Sequence, residues 1–202
     1  MILAQICPTA VWNNTFNVIA GISGVAGTGA TIFNGPHDVA IGANNTLFVA
    51  DYYNNRVQKF VGGSPTATTV PNLTLNYPSS IHVDSNGVLF VLDLNNYRVL
   101  RWFNNAATVV AGGRGAGSAL DRMSTSYVIA VDGNSNIYLS DCGNSRVALW
   151  TAGNTNVSVV VCFFSSSFIF AEITHLSRSS RWPEEMEQAV LHINSIVLLE
   201  YM

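Results

Sequence analysis

Charged side chains are scarce in this sequence, and neither sign of charge dominates. Only 10% of the 202 residues are charged and 49% are hydrophobic, whereas an ordinary globular domain is about 25% charged. This much apolar surface suffices for a buried core and excludes disorder over most of the chain. The formal net charge of −3 supplies no bulk attraction to nucleic acid or to an anionic membrane, so we expect no nucleic-acid partner.

Glutamate is missing from residues 1–160, which carry seven aspartates and seven lysines or arginines and are formally neutral. All five glutamates lie in residues 161–202 together with two arginines, so the entire net charge lies there. This change of composition predicts a body over residues 1–160 and a separate tail over 161–202. Within the tail, Pro183 followed by acidic residues is typical of a helix start and predicts a short helix.

Cysteine and long apolar runs are also scarce. Cys7, Cys142 and Cys162 lack the C-x-x-C spacing of a zinc knuckle. One disulfide remains possible, so the redox state of these three stays open, although Cys142 is expected to be a surface thiol. The longest uncharged apolar run near the tail, residues 157–171, is shorter than the ~20 residues of a membrane-spanning helix and contains three consecutive serines. No membrane span is predicted.

The start of the chain has a short apolar run without the basic segment of a complete signal peptide. Asn-x-Ser/Thr sequons nevertheless occur at Asn13, Asn44, Asn72 and Asn156, and such sites are glycosylated only on the secretory route. The sequons favour an extracellular location. Whether they carry glycans stays open.

The sequence repeats itself three times, over about residues 35–62, 77–104 and 126–152. An aspartate and an arginine recur in each copy with the same intervals of 42 and 48 residues between copies. These recurring residues are Asp51 and Arg56, Asp93 and Arg98, and Asp141 and Arg146. Insertions therefore fall between the repeats and not inside them, as expected when each repeat is one structural unit.

Hydrophobic residues within each repeat alternate with a period of two. In the first repeat, apolar runs at residues 39–41 and 47–50 and the alternating segment RVQKF are separated by turns rich in Asn, Gly and Asp, and a looser apolar run follows at residues 67–70. These are strand and hairpin signals. Four short antiparallel strands in a repeat of about 40–50 residues are typical of a β-propeller blade.

The recurring Asp-x4-Arg motif places a carboxylate at the end of the second strand and a guanidinium at the start of the third. We predict that the two groups form a structural ion pair across the turn, in which the carboxylate also accepts backbone N–H groups of the turn. The alternative is a row of arginines presented to a ligand. Because each arginine arrives with its own counter-ion, the structural role is favoured.

The strings DVAIGANNTLFVADYYNNRVQKF and IHVDSNGVLFVLDLNNYRVLRW resemble NHL repeats, whose units are blades of six-bladed propellers; IAVDGNSNIYLSDCGNSRVALW follows the same pattern. VVAGGRGAGSALDRM, at residues 109–123, is similar to the glycine-rich linker between blades in animal NHL-repeat proteins, and residues 18–30 look like a worn copy of it. The resemblance implies an all-β fold: a partial NHL-type propeller of three four-stranded blades, with one leading strand at residues 11–20.

Two departures from the family pattern shape our expectations. Only three full repeats are present, and after the third the sequence reads VCFFSSSFIF where another linker is expected. We therefore expect a fragment, truncated or mis-spliced near residue 161. An arc of blades has open edges, so we also expect it to self-associate.

The resemblance implies a binding scaffold for a protein or a glycan, without catalysis, metal or cofactor. Two alternatives stay open. The first is a fragment of a metal-dependent enzyme similar to the amidating lyases, in which His37 would be one zinc ligand; the matching positions, Ser79 and Tyr127, supply no second or third histidine. The second is a non-functional truncated gene product. The glycine-rich string AGGRGAG lacks the Lys-Ser/Thr of a phosphate-binding loop, so nucleotide binding is not expected.

Overall fold

A computed structural model of the chain describes residues 18–153 and the backbone of residues 157–162. The described part is all-β, which confirms the predicted fold class. Its strands are β1 (Pro36–Gly42), β2 (Thr46–Asp51), β3 (Arg56–Phe60), β4 (Thr68–Thr69), β5 (Pro78–Val83), β6 (Leu89–Asp93), β7 (Arg98–Phe103), β8 (Ala106–Gly112), β9 (Ile129–Val131), β10 (Ile137–Asp141), β11 (Arg146–Trp150) and β12 (Val157–Cys162).

Several predictions fall outside the described residues. They concern most of the leading strand at residues 11–20, Cys7, the sequons at Asn13 and Asn156, the side chain of Cys162 and the helix after Pro183. The boundary at residue 160 stays a prediction. Among the described residues there is no helix with the length and apolarity to cross a membrane.

Each repeat folds into one four-stranded antiparallel sheet whose strands lie side by side in chain order. The second and third strands of each sheet form a hairpin in identical register, closed by the pairs Asp51–Arg56, Asp93–Arg98 and Asp141–Arg146. A short 3-10 turn joins the two strands in every copy, and a residue in the left-handed conformation ends it. The repeat in the sequence is thus a repeat of blades.

The three blades pack face to face around their first strands, because β1 lies against β5 and β5 against β9. Side chains alternate between the two faces of each sheet. In β6, Leu89 and Val91 pack toward the first blade, whereas Phe90 and Leu92 pack toward the third. The apolar core therefore lies between blades, as it does in a propeller.

Polar contacts also join the first strands. Ser80 of β5 donates its hydroxyl to Asp38 of β1 at 2.9 Å and accepts the backbone N–H of Ile129 of β9 at 3.3 Å. Asp38 Oδ2 accepts the N–H of Ile81 as well, at 2.8 Å. One chain of hydrogen bonds thus runs through all three blades.

Candidate functional site

The recurring aspartates and arginines form ion pairs of identical geometry. In all three blades the arginine Nε lies 2.7 Å from the aspartate Oδ2, and the aspartate side chain is fully buried. The arginines differ in exposure: the Arg146 side chain is 7% exposed and that of Arg98 is 25% exposed. Each carboxylate is therefore buried inside the protein and paired with its own arginine.

Each carboxylate accepts hydrogen bonds from two further donors. Its Oδ1 accepts a backbone N–H from the residue 17 positions earlier, at 2.7 Å: Asn34, Asn76 and Ser124 in turn. Its Oδ2 also accepts the side-chain amide of an asparagine three positions later, at 2.8 Å: Asn54, Asn96 and Asn144. The sequence carries this D-x-x-N-x-R pattern in every repeat, where the asparagines are also typical turn residues.

The backbone N–H that the carboxylate accepts differs from the one predicted. We expected it to come from the turn itself, but the N–H groups of the first turn are already bonded elsewhere. Those of Tyr52 and Tyr53 donate to Gly35 and Asn34, and that of Asn55 donates back to Tyr52. The carboxylate therefore accepts its backbone N–H from the segment before the blade, and the turn contributes the asparagine side chain.

The arginines hold the same preceding segments through their carbonyl oxygens. Arg56 donates to Thr28, Gly29 and Ile32. Arg146 donates to three carbonyls at the corresponding positions of the second glycine-rich linker: Ser118, Ala119 and Arg122. The segment before the second blade is not such a linker, and there Arg98 donates to one described carbonyl, that of Thr74. The guanidinium groups are thus engaged within the fold.

A group of exposed and half-buried rings lies at the edge formed by these hairpins. We call it the aromatic rim and define it as His37, Tyr52, Tyr53, Tyr77 and Tyr127. The His37 and Tyr52 rings stack with centroids 4.4 Å apart and planes at 17°. Tyr77 lies 4.8 Å from Tyr52, and Tyr53 meets Tyr52 edge-on at 5.0 Å. Partial burial raises the pKa of Tyr52, and the neighbouring Tyr53, Tyr127 and Tyr77 raise it further.

Backbone geometry places the rim residues. Tyr52 and Tyr53 occupy the 3-10 turn after β2, and His37 is the second residue of β1. Tyr77 has a positive φ of 56°, and its N–H donates to Asn55 Oδ1 at 2.8 Å. His37 and Tyr127 hold matching positions, but the second repeat has Ser79 there, and the other three rings have no aromatic counterpart in the other repeats. The repeat pattern therefore gave no signal for the rim.

The other candidate residues are spread over the blades. Ser79 is buried, and its hydroxyl has no partner among the described residues. Cys142 is exposed in the third hairpin turn. His82 is half-buried, and burial lowers its pKa although Asp84 and Asp38 act in the opposite direction. Within residues 18–153, no three His, Cys, Asp or Glu side chains come together as metal ligands would.

A family match and one solved structure agree with this architecture. Residues 33–60 match the family model of the NHL repeat. Among solved structures, a gluconolactonase from Xanthomonas campestris aligns with a TM-score of 0.52 at 16% identity, over 62% of this chain and 47% of that one. Selenomethionine-substituted virginiamycin B lyase from Staphylococcus aureus aligns with a TM-score of 0.47 at 14% identity, over 61% of this chain and 40% of that one.

The chain spans less than half the length of either structure. No curated protein matches the sequence. The identities are too low to carry more than a fold. Residues 33–60 thus match an NHL repeat, and the described part of the chain is built as consecutive four-stranded blades of a β-propeller fold.

Proposed function

We propose that the chain is a non-catalytic scaffold that binds a protein partner through the aromatic rim. The observation that carries the proposal is that charged and aromatic side chains differ in accessibility along the hairpin edge. The repeated aspartates are buried and the arginines are bonded to the segments before their blades, whereas the rings beside them are accessible: Tyr53 is 58% exposed and Tyr127 is 38% exposed.

Tyrosine suits this role because it combines a large apolar ring with a hydroxyl at low conformational cost. Aromatic residues are enriched in protein interfaces, and charged residues are depleted from their centres. The rim fits that description. Mutual contacts hold four of the rings, those of His37, Tyr52, Tyr53 and Tyr77, in place before binding, which lowers the entropy lost on association. A glycan could use the same ring faces, so the experiment includes both classes.

The test screens the full-length chain against a displayed peptide library and a glycan array, and then measures the affinity of the selected ligands by biolayer interferometry. Tyr53→Ala and Tyr127→Ala should each weaken binding by about tenfold or more, as expected at an interface hot spot. The control is Val61→Ala. Val61 is 53% exposed and follows β3 at the edge opposite to the rim, so its variant should bind like the wild type.

The outcomes distinguish a protein ligand from a carbohydrate ligand. Selected peptides that lose affinity in both rim variants support the proposal, and selection of glycans alone assigns the rim to carbohydrate. Ligands that bind both rim variants as tightly as the wild type contradict the assignment.

The competing enzyme hypothesis uses one rim residue and is tested separately. A metal-dependent activity would place a divalent ion at His37. Metal analysis after loading with zinc should find no stoichiometric ion that is lost in His37→Ala. Such an ion would favour the enzyme and overturn the non-catalytic assignment.

A further inference from the structure

A cleft of about 520 Å³ lies between the second and third blades, away from the aromatic rim. Its volume falls within the range of small-molecule sites. Phe90 and Ile137 form part of its apolar wall, and Arg101, Arg114, Asp121 and Trp150 line it with polar groups. A cleft with apolar walls and a few convergent polar groups is the usual form of a ligand site.

A buried donor in this cleft lacks an acceptor. Trp150 is 1% exposed, and its indole N–H has no hydrogen-bond partner in the described part of the chain. The matching residue of the preceding blade, Trp102, donates its indole N–H to the carbonyl of Pro71 at 2.9 Å. Buried indole N–H groups are normally bonded, so the difference between the two blades needs an explanation.

The course of the chain between blades explains it. After β4 the chain continues directly to Pro71, whose carbonyl serves Trp102 of the next blade. After β8 the chain turns at Gly112 and Gly113, both with positive φ, into the glycine-rich linker. None of the described linker carbonyls accepts the N–H of Trp150. This different course of the chain leaves the cleft open between the two blades and the indole N–H of Trp150 without a described acceptor.

The charges of the cleft favour an anion. Arg114 and Asp121 pair with each other at 2.9 Å. The Arg101 guanidinium lies 5.6 Å from the centre of the Phe103 ring, and it forms no ion pair with any described carboxylate. The lining therefore has one positive charge in excess, on a group whose planar donors match a carboxylate.

We propose that this cleft binds a carboxylate attached to an apolar body. Arg101 pairs with the carboxylate, the indole N–H of Trp150 donates to an oxygen of the ligand, and Phe90 and Ile137 contact its apolar part. Two sources share this chemistry: a small organic acid and the terminal carboxylate of a peptide.

The test follows the Trp150 indole N–H resonance of the full-length chain in a proton–nitrogen correlation spectrum, where its absence from Trp150→Phe identifies it. The probes are 3-phenylpropionate, its neutral amide, and acetyl-Gly-Phe with a free or an amidated terminus. Each is titrated to about 10 mM, a concentration that fills a millimolar site. The carboxylates should shift the resonance, and the amides should not.

A matched pair of variants tests the charge. Arg101→Gln should weaken carboxylate binding by at least about tenfold, the usual worth of a charge-assisted hydrogen bond. The control is Lys59→Gln, since Lys59 holds the same register position in the first blade, opposite Phe48 as Arg101 is opposite Phe90. Lys59 does not line the cleft, so its variant should bind normally.

Each result decides the proposal. A shift caused by either carboxylate and lost in Arg101→Gln supports it, and the tighter of the two carboxylates identifies the source. A resonance that no probe moves, equal binding of acid and amide, or equal losses in Arg101→Gln and Lys59→Gln would overturn it.

Discussion

Asp38 on β1 accepts the backbone N–H of Ile81 on β5 at 2.8 Å, so a side chain of one blade completes a backbone hydrogen bond of the next. The same oxygen accepts the hydroxyl of Ser80, which lies beside a bulge in β5. Bulges leave backbone groups out of the regular ladder. The interface between the first two blades is therefore polar at its inner end and apolar further out.

Asp38→Ala should lower the free energy of unfolding by about 1–3 kcal/mol, because it leaves the N–H of Ile81 without its acceptor in a partly buried position. Urea unfolding measures the loss. Ser80→Ala provides the second arm of a double-mutant cycle, since Ser80 donates to the same carboxylate. The two losses should not add; strict additivity would show that the hydroxyl and the carboxylate act independently.

Asp141→Asn should be among the most damaging single changes. It leaves the guanidinium of Arg146, whose side chain is 7% exposed, without its counter-ion, and breaking one side of a buried ion pair costs about 3–5 kcal/mol. The control is Asp121→Asn. Asp121 pairs with Arg114, which is 67% exposed, and an exposed pair contributes no more than about 1 kcal/mol. Similar losses at both sites in denaturant unfolding would refute the structural role of the repeated pair.

Gly112→Ala should destabilise the chain more than Gly87→Ala. Both glycines have a positive φ, 65° and 77°, so both substitutions carry the left-handed strain of about 1–2 kcal/mol. A Cβ at Gly112 would also meet the carbonyl oxygen of Tyr97 and, at 2.7 Å, the Met123 Cε, whereas at Gly87 it would meet nothing within 4 Å. Overpacking should add about 1–3 kcal/mol. Thermal unfolding of the two variants compares them; equal midpoints would contradict the close packing at Gly112.

Acidification should destabilise the fold through His82. Its pKa is lowered by burial, so the unfolded chain binds a proton more readily than the folded one. This contribution is fully present above the unfolded pKa of about 6.5 and is lost as the pH falls toward the lowered folded value. His82→Gln should therefore reduce the pH dependence of unfolding below about pH 6.5. A slope that stays the same in His82→Gln would contradict the assignment of the effect to this histidine.

Self-association is expected from apolar side chains that remain exposed near the first blade. Ile19 is 77% exposed and Ile22 is 50% exposed, in the linker copy that precedes that blade. Ile19→Glu should increase the monomer fraction in sedimentation velocity, because a charge opposes burial in a contact. Val61→Glu, at a comparably exposed site, should change it less. A wild-type chain that sediments as a single monomeric species would disprove the expectation.

Much of the fold could be predicted from the sequence, because the repeat fixes the length, register and turn of each blade at once. Asp51 and Arg56 were visible as a pair since their spacing recurs twice more. The third member, Asn54, was visible in the same way, but asparagine is so common in turns that its recurrence looked like turn preference alone. Its bond to the carboxylate needed the structure.

The linker contacts and the two proposed sites could not be predicted. Arg56 reaches carbonyl groups 24–28 residues earlier in the chain, and every residue has a carbonyl, so no residue type marks the acceptors. The aromatic rim and the cleft depend on residues that the repeats do not share. Tyr77 and Trp150 acquire their roles from how neighbouring blades pack, which is a tertiary effect beyond the period of the sequence.

The bonds between each hairpin and the segment just before it have a consequence for how such a protein grows. The arginines and aspartates reach back by no more than 28 residues, so every copy carries the groups that bond it to the segment before it. Once the ribosome has released one blade, it has also released all the groups that form these hydrogen bonds in that blade. Duplication of the corresponding stretch of gene likewise copies these hydrogen bonds intact, and an added blade then has only to match the apolar faces of its neighbours.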